Sequence, residues 1–308
     1  MDKDGYEKSP LRVKTGSGAF TSLSIDLNAD VHYVAGRIYG YGLENLTEKR
    51  QAEERSRQDL ADAEARHFQL IWDHIEELVE TFKPSRELFI AVDGSAPKPK
   101  VDQQRQRRAK ASLRQAEQKE VLFDSNTISP GTEFMRRLDT YIQQRRAERQ
   151  AKWGIPTVYY SSHLVPGEGE HKIMDAFRDG KINTLDGRHA IVGVDNDLIP
   201  LAMGLNETNI YFLSGWNRKT GFLQREMISI DKVQSAIFVE LGLRNSIEDR
   251  TPTVVLPLNR VTSDLALLFG LVGNDFLPTM PGLYPMPVNL DTLLRTYKTW
   301  QKIPEPQR

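Results

Sequence analysis

The chain has 308 residues, 39% of them hydrophobic and 27% charged, with a formal net charge of −1 and no cysteine. This is the composition of a soluble, globular protein with room for one large domain or two small ones. Disulfides and thiolate metal sites are excluded, so a metal would have to sit on carboxylate, imidazole or carbonyl groups, which favours hard ions such as Mg²⁺ or Mn²⁺ over zinc.

In chain order, residues 1–18 are polar and read as a flexible segment. The start, "MDKDGYEKSP", has no apolar core behind its charges and so does not read as a signal peptide. No run of about 18 apolar residues follows anywhere, so no membrane span is expected. An intracellular location, cytoplasmic rather than nuclear, is the expectation. "FTSLSID" alternates and predicts a strand ending near Leu27. Residues 44–83 predict a long helical stretch. Its first half is charged all round, the mark of a solvated, projecting helix. Its second half carries Phe68, Ile71, Trp72, Ile75, Leu78 and Val79 at helical spacing, and Pro84 ends it.

"ELFIAVDG" predicts a buried strand running into a turn, and "QQRQRRAKASLRQAEQKE" a basic helix. "SPGTEFMRRLDTYIQQRRAERQAKW" predicts another helix, capped by Ser129 with Pro130 near its first position. "PTVYYSS", "RHAIVGVD" and "NIYFLS" predict strands, and "TSDLALLFGLVGNDFLP" an apolar helix closing on a polar turn. Strands alternate with helices, so the expected class is α/β with a central twisted, mainly parallel sheet flanked by helices. Residues 19–308 are expected to form a single domain.

Carboxylates gather at the ends of these strands. Asp26 closes the first, Asp93 the second, and Asp195 and Asp197 follow "AIVGV". Glu168 and Glu170 follow "VYY" after a short loop, and Asp275 follows the apolar helix. Sites in open α/β sheets form outside the carboxyl ends of the strands. Any one of these acids reads equally well as a turn, a cap or a complement to a helix dipole. Seven together would repel one another and call for cations, and a pair of divalent ions would suit phosphoryl transfer. Gly167 and Gly169 flank Glu168 and supply a loop in which two acids can aim together.

Directly after Asp93 comes "KPKVDQQRQRRAK". Basic residues at a helix N-terminus make a phosphate site, and positions 100, 104, 107 and 108 share one side at helical spacing. The alternative is a solvated basic face.

Five segments in order, "IDLNADVH", "LFIAVDGSAPKPKVDQQRQRR", "FDSNTISPGTEFM", "VPGEGEHKIM" with "VGVDNDLI", and "LLFGLVGNDFLPTMPGL", resemble the Xrn family of 5′→3′ exoribonucleases. That family is a branch of the flap-endonuclease, PIN-like superfamily. The resemblance spans roughly Thr21 to Leu283. It implies a PIN/flap-endonuclease-like nuclease core. It implies that Asp26, Asp93, Glu168, Glu170, Asp195, Asp197 and Asp275 are catalytic and hold two Mg²⁺ or Mn²⁺ ions. It implies that Lys100, Gln104, Arg107 and Arg108 bind the substrate's 5′-phosphate, and that His32 stacks on a base. Tyr33 is read as core, and His171 as a structural hydrogen-bonder.

The implied activity is degradation of single-stranded RNA carrying a 5′-monophosphate to nucleoside 5′-monophosphates. The alternatives are a flap-type or exonucleolytic DNase, or a non-catalytic binder of monophosphorylated RNA ends. There are departures from the family pattern. "MDKDGYEKSPLRVKTGSG" stands where the family begins Met-Gly-Val-Pro, Ala29 and Asp30 stand where a glycine and an apolar residue are usual, and Asn196 separates Asp195 from Asp197. Cellular members continue into a second conserved region, which is absent from these 308 residues, as expected of a compact homologue or of a fragment of a longer polypeptide.

Overall fold

The structure, a computed structural model, describes residues 12–14, 19–40, 46–58, 60–116, 122–195, 197–214, 226–243, 258–273, 277–282 and 288–300. In chain order its elements are β1 (Arg12–Lys14), β2 (Ser22–Asp26), α1 (Asn28–Tyr39), α2 (Leu46–Gln58), α3 (Leu60–Phe82), β3 (Glu87–Ala91), α4 (Lys98–Ala116), α5 (Glu133–Trp153), β4 (Thr157–Ser161) and α6 (Gly169–Arg178). Then come β5 (His189–Gly193), α7 (Leu198–Met203), β6 (Ile210–Ser214), β7 (Glu226–Ser229), α8 (Ile230–Glu240), α9 (Leu258–Val272) and α10 (Val288–Trp300). The class is mixed α/β, with sheet and flanking helices. The chain divides into two compact units, residues 15–194 with 215–223, and residues 1–14 with 195–214 and 224–308.

The larger unit is built on four parallel strands in the order β5-β2-β3-β4. β3 and β5 are buried at every position, as parallel strands are when helices cover both faces. Register fixes where the strands finish. Asp26 pairs with Ala91, and Ala91 with Ser161, so β2, β3 and β4 end level with one another. Beyond that line, the Leu27 N–H donates to the Ala91 carbonyl and the Val92 N–H to the Ser161 carbonyl, both at 3.0 Å.

α3 supplies the apolar cover. Ile71, Trp72, Ile75, Leu78 and Phe82 are all almost fully buried, and three- or four-residue spacing puts them on one stripe. Trp72 stacks on Trp153 of α5, their rings 5.6 Å apart. α1 was not foreseen from the sequence. Val31, Val34 and Ala35 bury against the unit, and left-handed Gly40 (φ 80°) ends the helix. Its Asp30 is buried within reach of His74 on α3, 3.6 Å away.

Two expectations are corrected here. α5 starts at Glu133, not after Ser129. Its cap is Thr132, whose hydroxyl accepts from the Met135 N–H and donates to the Ser129 carbonyl. Ser129 and Pro130 belong to the preceding turn, which is pinned where the Gly131 N–H donates to Nδ1 of buried His163. The first 18 residues are not uniformly loose either. Arg12–Lys14 pair antiparallel with β7, because Arg-Val-Lys alternates as a strand must.

The smaller unit pairs β6 antiparallel with β7 and β7 with β1. Its helices enclose a second core of Phe238, Leu241, Leu243, Val261, Leu265 and Tyr297. The Tyr297 hydroxyl donates to Asp264 across that core.

Candidate active site

The site of the larger unit starts from the level strand ends. Asp26 is the last residue of β2 and Asp93 lies two beyond β3. Asn28, at the start of α1, joins them. Its Nδ2 donates to Asp93 Oδ2 at 2.7 Å, its Oδ1 accepts from the Asp93 N–H, and its own N–H lies 3.4 Å from Asp26 Oδ1. Reading the sequence missed Asn28, although it stands two residues after the first acid.

The loop after β4 returns to the same place. It is zipped to the end of β3 by the Gly94 N–H donating to the Gly167 carbonyl and the Gly167 N–H donating to the Ser95 carbonyl. The two glycines of the acidic loop serve different ends. Gly167 needs its backbone freedom, with φ at 100°. Gly169 is needed for space, since a Cβ there would lie 2.3 Å from Asp26 Oδ1.

α6 begins at this contact. Glu168 is its N-cap residue, yet its side chain does not cap. Asp93 does so from another element, accepting from the Gly169 N–H at 2.7 Å, and the positive end of the helix favours that carboxylate. The Glu168 carboxylate turns instead to Lys100 of α4, at 2.7 Å. Glu170 is buried beside it, and His171 Nδ1 lies 3.4 Å from Glu170 Oε1. Glu168, Glu170 and His171 offer ligand atoms all within 4.8 Å of one another, so among the described residues this trio can hold a metal ion.

Lys172, also missed from the sequence, is buried beneath the acids. Its Nζ donates to the Val92 carbonyl at 2.6 Å and the Ser162 carbonyl at 2.9 Å, tying the ends of β3 and β4 to α6. Burial pulls its amine down to about 8, against the attraction of Asp93 and Asp26.

The acids are held under electrostatic stress. Burial, then repulsion from Asp93, Glu170 and Asp30, raises the Asp26 carboxyl well above the ordinary range, only partly offset by the Asn28 N–H. Burial and repulsion from Glu168 push Asp93 up to about 6, although the Gly169 N–H, Lys100 and Lys172 act the other way. Carboxylates that resist ionising together are the donor set that a divalent cation relieves, so these residues fit such an ion.

Of the residues expected at the site, the larger unit brings together Asp26, Asp93, Glu168, Glu170 and Lys100. Gln104 is half-buried on α4, Arg107 and Arg108 are exposed there, and His32 is exposed on α1. Asp195 and Asp197 belong to the smaller unit, both exposed at the head of α7. Asp275 lies outside the described residues.

Residues 5–215 match the family model described as the XRN 5′-3′ exonuclease N-terminus. The chain belongs to this family. Among its relatives, human 5′-3′ exoribonuclease 1 is 33% identical over 261 residues, 77% of this chain and 15% of that protein. The 5′-3′ exoribonuclease 1 of Schizosaccharomyces pombe is 30% identical over 309 residues, 92% of this chain and 22% of that protein. That of Saccharomyces cerevisiae is 31% identical over 306 residues, 91% of this chain and 19% of that protein. The chain therefore spans less than a quarter of the length of these XRN relatives. The matched span takes in every expected site residue except Asp275. No helix among the described residues is long and apolar enough to cross a membrane.

Proposed function

We propose that this chain is the nuclease core of a metal-dependent 5′→3′ exoribonuclease. It would hydrolyse single-stranded RNA carrying a 5′-monophosphate and release nucleoside 5′-monophosphates. The observation that carries the proposal is the cluster of Asp26, Asp93, Glu168 and Glu170 at one edge of the parallel sheet, with Asp26 raised by burial and by repulsion from Asp93, and Asp93 by burial and by repulsion from Glu168. Membership of the XRN family and the names of its relatives support the direction and the substrate.

In this reading Asp26, Asp93, Glu168 and Glu170 hold Mg²⁺ or Mn²⁺, two ions in all. Asp195, Asp197 and Asp275 enter the ligand set by the resemblance alone. Bound there, divalent ions would activate a water and neutralise charge on the phosphoryl oxygens. The chain's own groups do the rest. Asn28 and the Gly169 N–H fix Asp93, and Lys172 fixes the strand ends beneath it. The side of α4 carrying Lys100, Gln104, Arg107 and Arg108 grips the terminal phosphate and so sets the distance from the 5′ end to the scissile bond. His32 stacks on a base without reading its identity. Hydrolysis breaks the bond between phosphorus and the 3′ oxygen of the first nucleotide. The shortened strand keeps a 5′-monophosphate and is itself a substrate.

The test is a time course on one 3′-labelled RNA bearing a 5′-monophosphate, 5′-hydroxyl or 5′-triphosphate, with Mg²⁺ or EDTA, beside the matching DNA. Metal-dependent loss of the monophosphorylated RNA alone is the expected result. Equal loss of DNA would replace the proposal with a DNase. Tight monophosphate-dependent binding without cleavage would replace it with an end-sequestering role.

A further inference from the structure

Lys100 and Glu168 make a buried ion pair, with the two residues only 8% and 5% exposed. The pair joins two places that the proposed function keeps apart. Lys100 lies in the first turn of α4, on the side expected to grip the substrate's phosphate. Glu168 belongs to the trio able to hold a metal ion. One oxygen of that carboxylate, Glu168 Oε2, is held by an ammonium at 2.7 Å. A second cation on that carboxylate meets direct repulsion from the first, and burial leaves little water to screen it. Lysine is a point charge on a flexible four-carbon stem, so its head can leave without moving the helix. Gln104 lies one turn further along the same side, with Arg107 and Arg108 beyond it.

Resting on the function proposed above, we propose that Lys100 is shared between Glu168 and the substrate's 5′-monophosphate, so that one side chain couples metal loading to 5′-end recognition. A phosphate that draws Lys100 away opens Glu168 to the ion. An ion on Glu168 releases Lys100 to the phosphate. The coupling is reciprocal by thermodynamic necessity, each ligand tightening the other by the same factor. Its functional consequence is selectivity. Before a monophosphorylated end arrives, the hydrolytic site holds its ion weakly, and ends lacking a phosphate leave Lys100 where it is.

The experiment measures Mn²⁺ affinity by calorimetry, in the presence of adenosine 5′-monophosphate or of adenosine. The proteins are the wild type, Lys100→Gln and Lys110→Gln. Glutamine at 100 keeps a donor for Glu168, so the fold is retained while the charge is removed. Lys110→Gln removes one charge from the same helix outside the side that grips the phosphate. In the wild type the monophosphate should tighten Mn²⁺ binding about tenfold over adenosine, within the usual range of such couplings. Lys100→Gln should bind Mn²⁺ about tenfold more tightly than wild type without nucleotide, and lose the coupling. Lys110→Gln should match wild type without nucleotide, since its exposed charge is screened by salt. Equal Mn²⁺ affinity in wild type and Lys100→Gln would overturn the inference and leave the proposed function standing. No Mn²⁺ uptake by the wild type would overturn the function itself. Should Lys100→Gln fail to fold, the wild type alone decides, because a monophosphate that does not tighten Mn²⁺ binding removes the coupling.

Discussion

The acidic and basic sides of the larger unit are built on opposite plans. On the acidic side nearly every group is held from two directions. Asp93 accepts from Asn28 and from the Gly169 N–H, Lys172 bridges two strand ends, and α6 approaches Asp26 so closely that only glycine fits at 169. On the basic side α4 is anchored at Lys100 and then runs exposed, with Arg107 and Arg108 turned to solvent. On the proposed function the difference has a use. Carboxylates that would hold ions against their own repulsion need fixed positions, whereas a grip on a mobile phosphate would need reach. Substitutions on the acidic side should therefore act on kcat and on stability, and those on the basic side on KM.

The sharpest way to break this comparison is Asp26→Asn. Cleavage should fall by roughly three orders of magnitude or more, as for loss of a residue holding hydrolytic metal. The metal-free protein at neutral pH should at the same time melt higher than wild type, because a carboxylate raised by burial and by Asp93 no longer has to ionise. Single-turnover assays and thermal melts read both, and a variant that loses stability would speak against stored repulsion. Gly169→Ala comes next. Its methyl would meet Asp26 Oδ1 at 2.3 Å and displace the start of α6, which should cost about a hundredfold in kcat with the far-ultraviolet dichroism unchanged. Full activity would mean that the close approach does not position the acids. The smallest effect belongs to the basic side. Arg107→Ala with Arg108→Ala should raise KM by about tenfold and flatten its salt dependence, with kcat within about twofold of wild type. A fall in kcat instead would erase the distinction between the two sides.

What the sequence made legible follows the same division. Asp26 and Asp93 could be placed because a strand end is visible in the pattern and sites lie at strand ends. Glu168 and Glu170 could be placed because glycines around paired acids mark a break in the chain, although Glu170 lies in the first turn of α6 and not in the loop before it. Asn28 and Lys172 could not, since their roles depend on neighbours far away in the chain. Nothing in the local sequence shows that Asn28 spans to Asp93, 65 positions on, or that Lys172 reaches Val92, 80 positions back. Gly169 was noticed as a flexible residue when its task is to leave room. The parallel core was readable from its apolar runs, whereas α1 and the three residues of β1 were not, since both depend on what they pack or pair with. Thr132 displaced Ser129 as the cap because the turn before it is held by His163, a contact across 32 positions.

The most direct measurement of the central claim, that this acidic cluster is poised for cations, is thermal melting from pH 4 to 7.5, without metal and with Mn²⁺. A raised carboxyl binds its proton more tightly in the folded state. Its stabilisation is complete below its ordinary value of 3.8 and is lost as pH rises through about 6 for Asp93. Asp26 acts in the same direction. The metal-free protein should thus lose about 2 kcal/mol across this window from Asp93, after allowing for partial solvent access, and Mn²⁺ should restore the stability at neutral pH. A melting temperature that holds steady from pH 4 to 7.5 and ignores Mn²⁺ would contradict the account.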